Sequence, residues 1–180
     1  PGPDLSAEVL RLAAASGQSV FFFGSTQATL DSVRVGLARA VPELEIAGTR
    51  PSRFRRTTAA EEAELQVEIR ESGARILFVG LGCPRQEIWD YENAHALDMP
   101  ILAVGAAFDF VAGTVRRAPM WMRRRGLEWA FRIGSEPKRL LGRYLQTGPR
   151  FAAACIRQRV TGLPEHLPLG PAEIGIERYG

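Results

Sequence analysis

Three apolar runs in this chain end on glycine, in FFFGST at Gly24, FVGLGCP at Gly80 and Gly82, and LAVGAAFD ahead of Asp109. Glycine admits a phosphate close to the backbone N–H groups, and a helix that starts there favours the negative charge. The same glycines are equally ordinary turn chemistry. Neither GxGxxG nor GxxxxGK[ST] occurs, so dinucleotide and P-loop readings lack their fingerprint. In GCPRQE, residues 82–87, Pro84 suits the first helical position and would set Gln86 and Glu87 beside a strand end. An amide reads a base or sugar edge with donor and acceptor together. Glu87 either accepts from sugar hydroxyls or simply favours the helix N-terminus; exposed first-turn polar residues are the plainer alternative for both. Asp109, between Phe108 and Phe110, is a base, a hydroxyl acceptor or a helix cap.

A second group of chemistry-bearing residues is basic. Residues 116–159 carry 12 basic and 2 acidic side chains, a net +10, whereas residues 1–115 sum to −5 and residues 160–180 to −2. Such a segment implies an anionic partner. Arg132, Arg139 and Arg143 lie there among Trp121, Trp129, Phe131 and Tyr144. Arginine forks suit pyrophosphate, and aromatics with arginine suit an anionic membrane surface. A solvated helix face and a nucleic-acid patch are the alternatives, the latter without any RNP, KH or helix-turn-helix signature. The two histidines, His95 and His166, have no evident metal partners. Cys83 and Cys155 belong to no CxxC pair, which argues against zinc and a disulfide framework and for a reducing compartment. Small-residue packing is the expectation for Cys83.

The elements that must position these residues alternate. Residues 4–16 read as a helix capped by Asp4 or Ser6, 19–25 as a buried strand, 27–40 as a helix and 44–49 as a strand. RPSRFRR, residues 50–56, is a basic loop. The helix from Thr58 to Ser72 opens on a Thr58–Glu61 capping box. Strands follow at 74–82 and 100–108, with a helix from Pro84 between them. Alternation of this kind predicts a doubly wound parallel sheet, and strand signals vanish beyond residue 115. The fold class is therefore α/β: a Rossmann-like parallel sheet with flanking helices over 1–115, a basic C-terminal helical appendage over 116–159 and an irregular tail over 160–180. A 46% hydrophobic content is that of a globular protein, no apolar run approaches a bilayer span, and the start reads without a secretory signal.

The motifs VGLGCPRQEIWDYENA and VGAAFDFVAGTVRRAPMWMRRRGLEWAFRIGSEPKRLLGRYL together resemble the WecG/TagA/CpsF glycosyltransferase family. The matching elements are GxPxQE, AFDFxAG, RAPxWM, GLEWxxR and EPxRxxRY in order, with PGPDL and FFFGST as further likenesses, across about residues 1–145. The resemblance implies an inverting transfer of an N-acetylhexosamine, typically N-acetylmannosamine, from a UDP-sugar to a polyprenyl-pyrophosphate-linked acceptor. Its product belongs to a cell-surface polysaccharide of teichoic acid, common-antigen or exopolysaccharide type. It implies a peripheral position on the inner face of the cytoplasmic membrane. No motif requires a metal or cofactor and no DxD-type pair is present, a nucleic-acid partner is not expected, and an appendage that detaches or swaps would tie activity to a homo-oligomer. On the same ground Gln86 falls where the family contacts the sugar nucleotide, and Arg132, Arg139 and Arg143 fall in the arginine-bearing appendage. The family's favoured base is an Asp in an Asp-Gly motif ahead of the PGPDL segment. The chain is accordingly expected to be a fragment of a longer enzyme, with Asp109 the one motif-borne Asp in it. A non-catalytic UDP-sugar and membrane-binding module, or an inactive truncated relative, is the competing reading.

Overall fold

The computed structural model describes residues 2–55, 57–105, 108, 118–135 and 137–162. They fall into two compact units, one carrying the described residues up to 108 and the other those from 118. Asp109, His166 and the tail from residue 163 lie outside the described residues.

The first unit alternates strictly: α1 (Gly2–Ala15), β1 (Val20–Gly24), α2 (Gln27–Ala40), β2 (Ile46–Arg50), α3 (Ala59–Glu71), β3 (Ile76–Gly80), α4 (Arg85–Leu97) and β4 (Ile101–Ala103). All strand pairs are parallel, in the order β2-β1-β3-β4. Alternate residues of β1 face opposite sides, as the period of two requires. Val20 and Phe22 pack with Leu10, Leu30, Val33 and Leu37 of α1 and α2. Phe21 and Phe23 pack with Leu65, Ile69, Trp89 and Leu97 of α3 and α4. Burial on both faces explains why VFFFG and ILFVG read as unbroken apolar runs. Phe22 stacks on Phe78 at 5.3 Å between ring centroids and meets Phe108 edge-on at 5.5 Å.

Local signals set most boundaries. Thr58 closes the expected capping box with Glu61 at the start of α3, and the side chain of Thr26 caps α2. Four expectations change. Helix α1 starts at Gly2, so Asp4 and Ser6 lie inside it. Ser6 shares the buried face of Leu10 and Ala13 at helical spacing. Strand β2 starts two residues later and ends one residue later than expected, because its pairing begins where Val20 N–H donates to Glu45 O. Strand β4 stops at Ala103 instead of 108, since the N–H groups of Val104 and Gly105 both turn onto Val79 O and the ladder ends. Pro84 occupies the N-cap of α4, one residue before the first helical position, and its peptide bond with Cys83 is cis.

The second unit is helical: α5 (Met120–Arg124), α6 (Glu128–Ser135) and α7 (Pro137–Thr161). α6 and α7 contact one another. Helix α7 tolerates Pro149 in its interior, and Phe151, Ile156 and Val160 are exposed along it. No helix among the described residues is long and apolar enough to cross a membrane.

Candidate functional site

The strand order places the connection β1–α2–β2 on one side of the sheet and β3–α4–β4 on the other. Loops leaving β1 and β3 therefore diverge and open a crevice beyond the carboxyl ends of the strands, the usual ligand position in such sheets. Gly24 and Gly80 meet at its floor. A Cβ on Gly24 would lie 2.5 Å from Gly80 O, and Gly24 has φ +115. Ser25 continues the turn at φ 55 and donates its N–H to Gly80 O at 2.9 Å. Ser25 O accepts from Ser52 N–H at 2.9 Å, which ties the loop after β2 to the same floor.

Gln86 stands at the centre of the β3–α4 side. It is only 6% exposed. Its Oε1 accepts from Gly82 N–H at 3.1 Å, and its Nε2 donates to Glu87 Oε1 at 3.0 Å. The same amide lies against Gly105, where a Cβ would come within 3.1 Å of Oε1. One side chain thus braces the loops after β3 and β4 and holds the exposed Glu87 carboxylate in place. The expectation of exposed first-turn residues fits Glu87 and fails for Gln86, because an amide with both ends bonded is stable when buried.

Behind them on α4, Asp90 presents a buried Oδ1 that finds no hydrogen-bond partner among the described residues. Burial raises its carboxyl to about 6 from the ordinary 3.8, and the neighbouring Glu87 charge raises it further in the same direction. A carboxyl with a raised folded-state pKa destabilises the fold when ionised. That cost is absent below the unfolded value, grows as pH rises and is complete above about 6. Discounted for partial exposure, it amounts to about 1 kcal/mol. Asp90→Asn is expected to melt about 2–4 °C higher than the parent at pH 7.5. The two proteins should melt together at pH 4, and a gain independent of pH would contradict the assignment.

The β2–α3 side supplies residues that sequence reasoning missed. Glu61 Oε1 sits 2.7 Å from both Arg53 Nη1 and Arg55 Nη2, and Glu61 Oε2 accepts from Arg55 Nη1 at 2.9 Å. The Arg55 hydrogen bonds and the Thr58 N–H hold the Glu61 carboxyl down at about 2. Arg85, the first residue of α4, donates to Arg55 O at 3.3 Å. Phe23 packs against Trp89 at 4.9 Å, which aims Trp89 Nε1 at Glu62 Oε2, 2.8 Å away. Thr57 also donates to Glu62. These side chains line a small recess of about 40 Å³ with Leu65 and Leu81. A signal was present in the sequence: Arg50, Arg53, Arg55, Arg56 and Arg85 are five of the ten basic residues in 1–115.

Of the residues singled out in the sequence, Gly24, Gly80, Gly82, Gln86 and Glu87 come together at the carboxyl ends of β1 and β3. Asp109 lies outside the described residues. Arg132 is on α6, and Arg139 and Arg143 are on α7, with their side chains outside the described residues. Cys83, expected to be packed, is exposed because the loop carries it past the strand end, and Cys155 is exposed on α7. His95 is exposed in the last turn of α4. Among the described residues no group of three or more His, Cys, Asp or Glu could hold a metal ion.

Comparison with known proteins adds an independent line. The chain is 28% identical over 167 residues to the N-acetylglucosaminyldiphosphoundecaprenol N-acetyl-beta-D-mannosaminyltransferase of Bacillus spizizenii (strain ATCC 23059 / NRRL B-14472 / W23). The match covers 92% of this chain and 62% of that relative, so the chain spans under two thirds of the relative's length. The model of the glycosyl transferase WecG/TagA/CpsF family matches residues 1–164, through both units and every strand-end loop described above. The chain belongs to the WecG/TagA/CpsF family of glycosyl transferases.

Proposed function

We propose that the protein containing this chain transfers an N-acetylhexosamine, N-acetylmannosamine in particular, from a UDP-sugar to a sugar carried on polyprenyl diphosphate. The observation that carries this reading is the 167-residue match to a mannosaminyltransferase whose name gives its acceptor as N-acetylglucosaminyldiphosphoundecaprenol. The strand-end crevice supports it, since the N-terminus of α4 opens at the carboxyl end of β3 and suits a leaving diphosphate. The acceptor hydroxyl displaces UDP at the anomeric carbon with inversion, and a carboxylate takes its proton. In this reading that base lies outside the present 180 residues, as the family resemblance implies. In the same reading Glu87, which accepts from Gln86 Nε2, takes a hydrogen bond from a sugar hydroxyl.

The second unit carries basic chemistry suited to an anionic surface. Arg157 and Arg159 share α7 with the exposed Phe151, Ile156 and Val160, a combination that lies well in a lipid headgroup layer. Peripheral attachment to the membrane bearing the lipid-linked acceptor follows from that reading, and the polymer is a cell-surface polysaccharide. The test is transfer of labelled N-acetylmannosamine from its UDP-sugar by the full-length protein to a polyprenyl-diphosphate N-acetylglucosamine acceptor. Label should move to the lipid fraction with UDP released in equal amount. Absence of transfer from any UDP-N-acetylhexosamine would remove the reading.

A further inference from the structure

Residues 1–115 carry a net charge of −5, yet the rim of the recess between β2 and α4 gathers guanidinium groups from two separate elements. Arg53 and Arg55 reach it from the loop after β2, and Arg85 reaches it from the start of α4. Their arrangement around Glu61 is the geometry an oxyanion takes up. One oxygen is shared at 2.7 Å by Arg53 and Arg55, while Arg55 engages both oxygens at 2.7 and 2.9 Å. A phosphate group offers the same fork-to-fork match with more oxygens and more charge. Arg85 contacts the backbone of Arg55 and no carboxylate among the described residues. Arg53 and Arg55 therefore share the carboxylate of Glu61, and Arg85 adds a third guanidinium to the rim. Arg53 and Arg55 are about half exposed, and ion pairs so exposed exchange readily with competing anions.

Resting on the sugar-nucleotide reading above, we infer that Arg53, Arg55 and Arg85 form a binding site for a diphosphate group, with Glu61 the internal anion that the diphosphate displaces. The site lies beside the Gly24–Ser25 turn, because Ser52 N–H bonds Ser25 O and fixes the arginine loop to the crevice floor. Displacement returns Glu61 to its second job. Its Oε2 accepts from Thr58 N–H at 2.9 Å in the capping box of α3, so the carboxylate keeps a partner when the arginines leave. Two sources carry the same chemistry, the diphosphate of the sugar nucleotide and that of the lipid-linked acceptor.

The experiment is titration calorimetry on the full-length protein with inorganic pyrophosphate, UDP, and vesicles containing undecaprenyl diphosphate. Glu61→Gln is the informative variant, since glutamine still closes a capping box but no longer competes as a charge. It should bind pyrophosphate about three- to tenfold more tightly than the parent, while Arg53→Ala/Arg55→Ala binds at least about tenfold more weakly. Arg75→Ala, exposed at the opposite end of the sheet, should bind like the parent. A purely structural role for Glu61 predicts the reverse, with Glu61→Gln binding no better and melting lower. Either that result, parental affinity in the double variant, or equal weakening by Arg75→Ala would overturn the inference. A variant series that tracks UDP assigns the site to the donor, and one that tracks only the vesicles assigns it to the acceptor; both support it. If the series holds while the protein transfers no sugar, the transferase reading falls and the diphosphate site stands. Transfer with an unresponsive series gives the opposite outcome.

Discussion

Gly24→Ala is expected to destabilise the protein by about 3–5 kcal/mol, a large share of the ~5–15 kcal/mol that holds a domain together. Two costs add. The backbone at φ +115 lies where a side chain is rarely accommodated, which costs about 1–3 kcal/mol. The new Cβ would also stand 2.5 Å from Gly80 O and 2.6 Å from Gly80 C. Those atoms are the backbone of the neighbouring strand, so relief requires prising β1 from β3, and overpacking of this kind costs about 1–3 kcal/mol more. Gly82→Ala separates the two terms. Gly82 has φ +84 but open space around its Cβ position, so only the conformational cost of about 1–3 kcal/mol applies there. Denaturant melts of both variants check the argument, and equal destabilisation would show that the Gly24–Gly80 contact costs nothing.

Gln86→Ala is expected to lower kcat/KM for sugar transfer by about two orders of magnitude. Its stability loss should be about 1–3 kcal/mol, from leaving the Gly82 N–H without its acceptor. Truncation removes the bond to Gly82, releases Glu87 and opens space beside Gly105 in one step. The loops after β3 and β4 then lose their common brace, and misplacement by about 1 Å in a transferase site costs on that order. Gln86→Glu tells bracing from direct contact. A carboxylate has no N–H to give Glu87 and would repel it, so the variant should fail nearly as badly although its size is unchanged. Near-parental turnover of Gln86→Glu in the transfer assay would rule out the bracing role.

Much of the fold was legible because local physics repeats itself along the chain. Doubly buried strands need apolar residues at every position, so VFFFG and ILFVG announced themselves. The Thr58–Glu61 capping box is a four-residue signal, and the alternation of strand and helix limits the sheet to parallel order. The strand-end glycines and GCPRQE were legible as a site for the same reason, since they sit where each run stops. Family membership came from linked motifs, and the match across residues 1–164 agrees with it.

What the sequence by itself determined, then, was the α/β class, the strand-end location of Gly24, Gly80, Gly82, Gln86 and Glu87, and the family. Only the tertiary structure decided what those residues do to one another. The approach of Gly24 to Gly80 depends on β1 and β3 being neighbours 56 residues apart, which no local pattern encodes. Ser6 became a buried residue and not a cap because α1 lies against β1, and β4 ended early because two N–H groups turned onto one carbonyl. The arginines after β2 read only as a basic loop until α3 brought Glu61, and α4 brought Arg85, to the same recess. Charge in a sequence has a sign but no direction, and the crossover connections of the sheet supply the direction.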